Sequence, residues 1–287
     1  MDGQWDECTL NSSQNTLVRP AKEQCQEHVA RSSPDRRFGH EWQEGQPEKG
    51  PPAVSLRKRL ASSPAANRMI AAGFRAWLRF VRATSRCEAD GWPAVVRLIE
   101  RHGAVIIVCW HQRIMLTPWM FDLSVAPCRS LTSTGRAGRL VGWLHHGFGY
   151  ESTPIRKGTR CREELRLVLN SLKQGVSLGI SPDGPQGPAR VAKIAPIQWA
   201  RSAQVPIVVF TYAATRFWRL GTWDRLMIPK PFGRLAFVWR RWEQPVPARF
   251  SEAEAARLAQ DLGEFMNAVT EEADARIVTG PRKSTGR

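Results

Sequence analysis

Residues 104–110, Ala-Val-Ile-Ile-Val-Cys-Trp, form the longest apolar run in the chain, and His111 follows at once. Seven residues is strand length, far short of the roughly 18 needed to cross a membrane. Around this strand the pattern alternates. A helical stretch over 93–101 precedes it and another helical segment begins at Gln112. An extended piece over 128–132 leads to a helix through Leu140, Trp143 and Leu144, then a short extended piece near Tyr150. Helix 162–172, strand 176–181, helix 197–203 and strand 206–212 follow, and two further extended pieces end near Pro229 and Arg240. Ser251 and Glu254 form a capping box that opens a final helix. This alternation predicts an α/β fold: a single domain with a central, mostly parallel sheet flanked by helices.

The domain is expected over 67–280. Residues 1–66 are rich in Gln, Glu, Ser, Pro and Arg, lack any period, and are predicted to be a disordered extension, with Met69 as an expected start. An amphipathic helix is predicted over 67–83. Ile70, Phe74, Trp77 and Val81 share one face, and Arg68, Arg75, Arg79 and Arg82 lie opposite. Such a helix can lie in a membrane interface, with Phe74 and Trp77 among acyl chains and Arg75 and Arg79 at anionic headgroups. It can equally pack on the domain with its arginines in water.

Charge narrows the partners. The chain has 42 Lys and Arg against 26 Asp and Glu, a net +16, which favours an anionic membrane surface, nucleic acid or phosphorylated ligands. No helix-turn-helix, zinc or aromatic RNA-binding signature supports nucleic acid. Twelve Trp against two Tyr suit a membrane interface. The six cysteines form no Cys-x-x-Cys pair, so no zinc or thioredoxin motif is present, and scattered thiols fit a reducing cytoplasm. The N-terminus has no signal-peptide pattern. Together these place the expected protein in the cytoplasm, peripheral on the inner face of the membrane.

Two segments carry chemistry. His111 stands where an apolar strand meets a helix, at the carboxyl end where α/β sheets build sites. The dipole there favours a neutral imidazole, the form a general base needs. The second segment, Ser181-Pro182-Asp183-Gly184-Pro185-Gln186-Gly187-Pro188, follows another strand. Its glycines let main-chain amides approach a ligand. Asp183 is the expected partner of His111. His145 and His146 end a helix and read as partners of its dipole. Arg136, Arg139, Arg156, Lys157, Arg190 and Lys193 lie in segments around the expected site and suit a phosphate.

In order, strand-His-helix, Pro182-Asp183-Gly184 and Val205-Pro206-Ile207-Val208-Val209 resemble the lysophospholipid (glycerol-phosphate) acyltransferase superfamily. The chain is most similar to a bacterial branch with the signature Asp-Gly-Pro-x-Gly-Pro. That likeness extends to Arg216-Phe217-Trp218-Arg219-Leu220, Trp223-Asp224-Arg225 and Ile228-Pro229-Lys230-Pro231-Phe232, and covers residues 67 to 275. The resemblance implies O-acyl transfer from acyl-coenzyme A or acyl carrier protein to a lipid or sugar-lipid hydroxyl, with no bound cofactor and no metal. His111 and Asp183 are then the catalytic pair, and Gly184, Pro185 and Gly187 line the substrate with the basic residues.

Departures keep other readings open. The superfamily places an acid five residues after the histidine; here Leu116 stands there, and the nearest downstream acid is Asp122. Arg136-Ala137-Gly138-Arg139 stands where the branch shows Arg-Asp-Gly-Glu, and Ser152 where it shows an arginine, with Arg156, Lys157 and Arg160 close enough to substitute. A lipid- or acyl-carrier-binding relative without catalysis, and a basic nucleic-acid-binding protein, are the alternatives.

Overall fold

The computed structural model describes residues 64–155, 162–247 and 249–279. Residues 1–63 of the expected extension, and Arg156, Lys157 and Arg160, lie outside the described residues. The elements are α1 (Pro64–Thr84), β1 (Arg86–Asp90), α2 (Trp92–His102), β2 (Ile106–Val108), a 3-10 segment (His111–Trp119), β3 (Cys128–Ser133), α3 (Arg136–His146) and β4 (Glu151–Ile155). Then come α4 (Arg162–Lys173), β5 (Ser177–Ile180), α5 (Ala195–Ala203), β6 (Ile207–Ala214), β7 (Phe217–Arg219), β8 (Met227–Pro229), β9 (Arg234–Trp242) and α6 (Glu252–Thr279).

Seven strands form one sheet in the order β1-β9-β6-β2-β5-β3-β4. Every neighbouring pair is parallel except β6 with β9. The apolar run lies at its centre: Val108 pairs with Ile180 on one side and Val209 on the other. Its apolar character is continuous because both faces are covered. Val105, Ile107 and Cys109 enter one core, and Ala104, Ile106, Val108 and Trp110 the other. The first core is completed by α1, α2, α3 and the 3-10 segment, the second by α4, α5 and α6. Ile106 and Ile107 are fully buried, so truncating either to Ala removes about 2–5 kcal/mol.

The capping box holds: Ser251 N–H donates to Glu254 Oε2 at 2.7 Å, and Glu254 N–H to Ser251 Oγ at 3.3 Å. The helix expected from Gln112 is a 3-10 segment broken at Arg113 (φ −110°) and containing Pro118. Arg113 turns inward there, donating to the Tyr212 carbonyl at 2.6 Å and pairing with Asp274 at 2.7 Å. Two elements, β1 and β7, have no strong sequence signal, whereas β8 is the extended piece expected to end near Pro229. β1, Arg-Cys-Glu-Ala-Asp, is a polar edge strand held by main-chain pairing to β9. The hairpin β7–β8 forms a separate two-stranded sheet.

Helix α1 corrects the expected stripe. Its core-facing line is Asn67, Ala71, Leu78 and Val81, while Ile70 and Phe74 are each 39% exposed and Trp77 is half-buried. The apolar arc is wider than the strip that touches the sheet, so only Val81 of the expected stripe is core. On the other flank Arg75 donates to the Gly147 carbonyl, and Arg68 and Arg79 lie over Trp143 and Phe148. No helix among the described residues is long and apolar enough to cross a membrane.

Candidate active site

Because β2 and β5 are adjacent and parallel, His111 and the 183–188 loop leave the same edge of the sheet. The turn into the 3-10 segment leaves the His111 N–H without a partner in its own segment, and Trp110 offers no side-chain cap. Asp183 supplies that cap from the neighbouring strand. Its Oδ1 and Oδ2 accept from the His111 N–H at 3.1 and 3.3 Å, and Oδ2 also accepts from the Arg190 N–H at 3.4 Å. The carboxyl is buried, and burial pushes it up to about 6 while these donors pull it back. The expected contact of Asp183 with the imidazole is therefore not formed. Asp183 fixes the main chain of His111 instead.

The carboxylate that meets the ring is Asp224, on the loop joining β7 to β8. Its Oδ2 lies 2.6 Å from His111 Nδ1. Its Oδ1 accepts from the Thr222 hydroxyl and, at 3.3 Å, from the Leu226 N–H. Asp224 is 4% exposed and His111 24%. A carboxylate at Nδ1 favours the tautomer with the proton there, leaving the Nε2 lone pair free to take a proton. The Trp223 indole lies against the imidazole, with ring centres 5.1 Å apart. Leu116, five residues after His111, is fully buried in the core. Trp223-Asp224-Arg225 stands in the sequence as a string; only the packing of β8 against the 3-10 segment brings its acid to the ring.

The glycines serve close approaches within the loop. Gly184 has φ +68°, and a Cβ there would meet the Lys193 ammonium at 2.8 Å; Gly187 has φ +71°, and a Cβ would meet the Trp223 ring at 2.6 Å. The Gly184 N–H, expected to face a ligand, donates to the Ser181 carbonyl at 3.0 Å. Pro185 is exposed on the same loop. Arg190 reaches Gln112 Oε1 at 2.9 Å. Burial, and then the charge of Arg113, hold its guanidinium below the usual arginine range; Arg219 acts the same way and Asp274 opposes them. Arg190, Lys193 and Arg219 thus form the cationic surround. Arg136 stands exposed at the start of α3, after β3, two strands from β2. Arg156 and Lys157 lie outside the described residues.

His145 is not a partner of its helix dipole. It is buried, Nδ1 lies 2.6 Å from Ser130 Oγ, and Nε2 lies 2.9 Å from Thr117 Oγ1. The Thr117 hydroxyl is 2.6 Å from the Ile114 carbonyl and donates there. Nε2–H therefore donates to Thr117, Nδ1 accepts from Ser130, and the ring is neutral. Burial pushes it down to about 4 from 6.5. The unfolded chain protonates this ring at higher pH than the folded one, so its stabilisation is complete above about pH 6.5 and is lost as pH falls toward 4. Asp183 acts in the opposite sense, since its folded carboxyl takes up a proton first. A difference measurement separates the two. Urea unfolding of wild type and His145→Gln at pH 7 and 4.5 is expected to show the wild-type advantage shrinking on the order of 2–3 kcal/mol. An unchanged advantage would contradict a neutral buried ring.

No protein-family profile matches the chain. A protein of Rickettsia prowazekii (strain Madrid E), described as uncharacterized, is 27% identical over 186 residues, covering 64% of this chain and 84% of that protein. Among solved structures, the 1-acyl-sn-glycerophosphate (LPA) acyltransferase PlsC from Thermotoga maritima aligns over 79% of this chain and 85% of its own, with a TM-score of 0.39 and 16% sequence identity.

Proposed function

We propose that the protein is an O-acyltransferase that moves an acyl chain from a thioester donor, acyl-coenzyme A or acyl carrier protein, to a lipid or sugar-lipid hydroxyl at the inner face of the cell membrane. The observation that carries this reading is the His111–Asp224 pair at the carboxyl end of the central strand. It fills the acid's role that Leu116 leaves vacant, which favours catalysis over a binding-only relative. The ordered strings that resemble those of the acyltransferase superfamily support the choice of reaction.

In this reading Nε2 of His111 removes the acceptor's hydroxyl proton, and the oxygen attacks the thioester carbonyl carbon. The carbon–sulfur bond breaks, and the thiolate leaves with the proton returned from Nε2. Asp224 holds the tautomer and offsets the charge that forms on the ring. Main-chain amides of the loop beyond Gly184, that of Gly187 first, are the candidate donors to the oxyanion. Arg190, Lys193 and Arg219 supply positive charge for a phosphate of the donor or acceptor.

The test is incubation of purified protein with short- and long-chain acyl-coenzyme A or acyl carrier protein and a lysophospholipid in vesicles. Acylated lipid and free thiol are expected to form in equal amounts. No product from either donor at short and long chain lengths would overturn the proposal.

A further inference from the structure

Helix α1 does not have the outer face of a helix that ends at water. Met69, Ala72, Gly73, Ala76, Phe80 and Ala83 stand exposed along its outer arc, while Arg68, Arg75 and Arg79 lie along the flank beside α3 and its C-terminal end, and Arg82 lies over the Phe237 ring. The opposite flank, with Phe74 and Trp77, is continued by the β7–β8 hairpin. Trp77 stacks on Trp218 with ring centres 5.6 Å apart, and its Nε1–H donates to the Pro229 carbonyl at 3.2 Å. Phe80 meets Phe232 edge-on at 5.7 Å. Trp218 and Phe232 remain 47% and 64% exposed. Leu220 and Trp223, also exposed, carry the apolar surface along the hairpin loop to the His111 ring. Helix and hairpin thus form one aromatic patch.

Its rim has one sign. The helix carries Arg68, Arg75, Arg79 and Arg82, and residues 215–233 carry Arg216, Arg219, Arg225 and Lys230. The one carboxylate in these two segments, Asp224, is buried against His111. Lys230 rests over the Trp218 ring with its ammonium 4.6 Å from the centre, an arrangement suited to headgroup depth. Contiguous exposed apolar surface ringed by cations fits an anionic bilayer: aromatic side chains enter the acyl boundary while arginines meet phosphates.

We infer that α1 and the β7–β8 hairpin together are the membrane-docking surface, with anionic phospholipid as the partner. The helix alone is half of it. The docking stands without any assumption about catalysis. One consequence rests on the acyl-transfer reading: the hairpin that meets lipid also carries Asp224 and Trp223, so the mouth of the site lies at the bilayer edge and the acceptor reaches His111 without leaving the membrane.

The experiment is cosedimentation of the full chain with vesicles of phosphatidylglycerol and phosphatidylcholine, or of phosphatidylcholine alone, with no acyl donor present. Wild type is expected to bind the anionic vesicles at least tenfold more tightly. The hairpin double variant Trp218→Ser/Phe232→Ser is expected to lose at least tenfold on them while keeping the wild-type thermal transition, and Phe74→Ser to lose affinity as well. Wild-type binding by the hairpin variant would overturn the composite surface, and so would equal affinity for both vesicle types or binding to neither. A wild-type dimer that becomes monomeric in the hairpin variant, with vesicle binding unaffected, would show that a second copy occupies the patch and also overturn it. If the double variant fails to fold, hydrogen exchange of wild type decides. Anionic vesicles are expected to slow amides in both 64–84 and 217–232, and slowing confined to the helix contradicts the inference. Because no turnover is measured, an inactive protein that binds through both segments leaves the docking intact and sinks only the acyl-transfer reading.

Discussion

Asp224→Asn is expected to lower acyl transfer on the order of a hundredfold or more, close to the loss in His111→Ala, with little change in folding. The reason lies in what the carboxylate already holds. Its Oδ1 accepts from the Thr222 hydroxyl and the Leu226 N–H, and its Oδ2 faces His111 Nδ1. An asparagine amide keeps its oxygen toward the two donors, which turns its NH2 toward Nδ1. That stabilises the tautomer with the proton on Nε2, where the base must be free. The double variant is expected to be barely worse than either single one, because the two groups act as a unit. Asp183→Asn is expected to cost much less: an amide oxygen can still accept the His111 N–H. Initial rates with vesicle-borne acceptor check all four. A larger loss in Asp183→Asn than in Asp224→Asn would reverse the assigned roles.

Leu116→Asp, which puts an acid five residues after the histidine, is expected to destabilise the fold by about 3 kcal/mol or more and to leave Asp224→Asn unrescued. Leu116 is fully buried among Met115, Met120, Phe121 and Leu144 in the core beneath α1 and α3. An ionised carboxylate there would lose its hydration inside an apolar cluster, and a protonated one would still bring two polar oxygens into it. The midpoint of urea denaturation reads the first effect, and acyl transfer by the double variant reads the second. Wild-type stability, or recovered turnover, would mean the 3-10 segment can turn residue 116 toward the ring.

These two positions show what could be read from the sequence. The parallel sheet was legible because the apolar segments at 104–110, 176–181 and 206–212 have strand length and alternate with helical ones; they became β2, β5 and β6, adjacent at the centre. The location of the candidate site followed from His111 and Asp183 each ending such a strand. The pairing did not follow. Main-chain hydrogen bonding decides which carboxylate is spent on capping a turn, and no residue pattern announces that the His111 N–H takes Asp183. The acid that remains arrives on a hairpin 113 residues further along the chain, placed by its packing on α1 through Trp77 and Phe80. Helix α1 failed differently: its sequence shows a broad apolar arc, and only contact with the sheet separates the core line of Leu78 and Val81 from the exposed Phe74. His145 reads from sequence as a helix-end cation, and burial makes it a neutral core ring.

The central claim is that Asp224 holds His111 with its proton on Nδ1 and Nε2 free. The most direct measurement is the two-dimensional nitrogen–proton spectrum of the imidazoles in protein labelled with 15N-histidine, with the His111 signals assigned by their loss in His111→Gln. At a pH where the ring is neutral, wild type is predicted to show the Nδ1–H tautomer, shifting toward Nε2–H in Asp224→Asn and unchanged in Asp183→Asn. An Nε2–H tautomer in wild type, or one that responds to Asp183 and not to Asp224, would contradict the account.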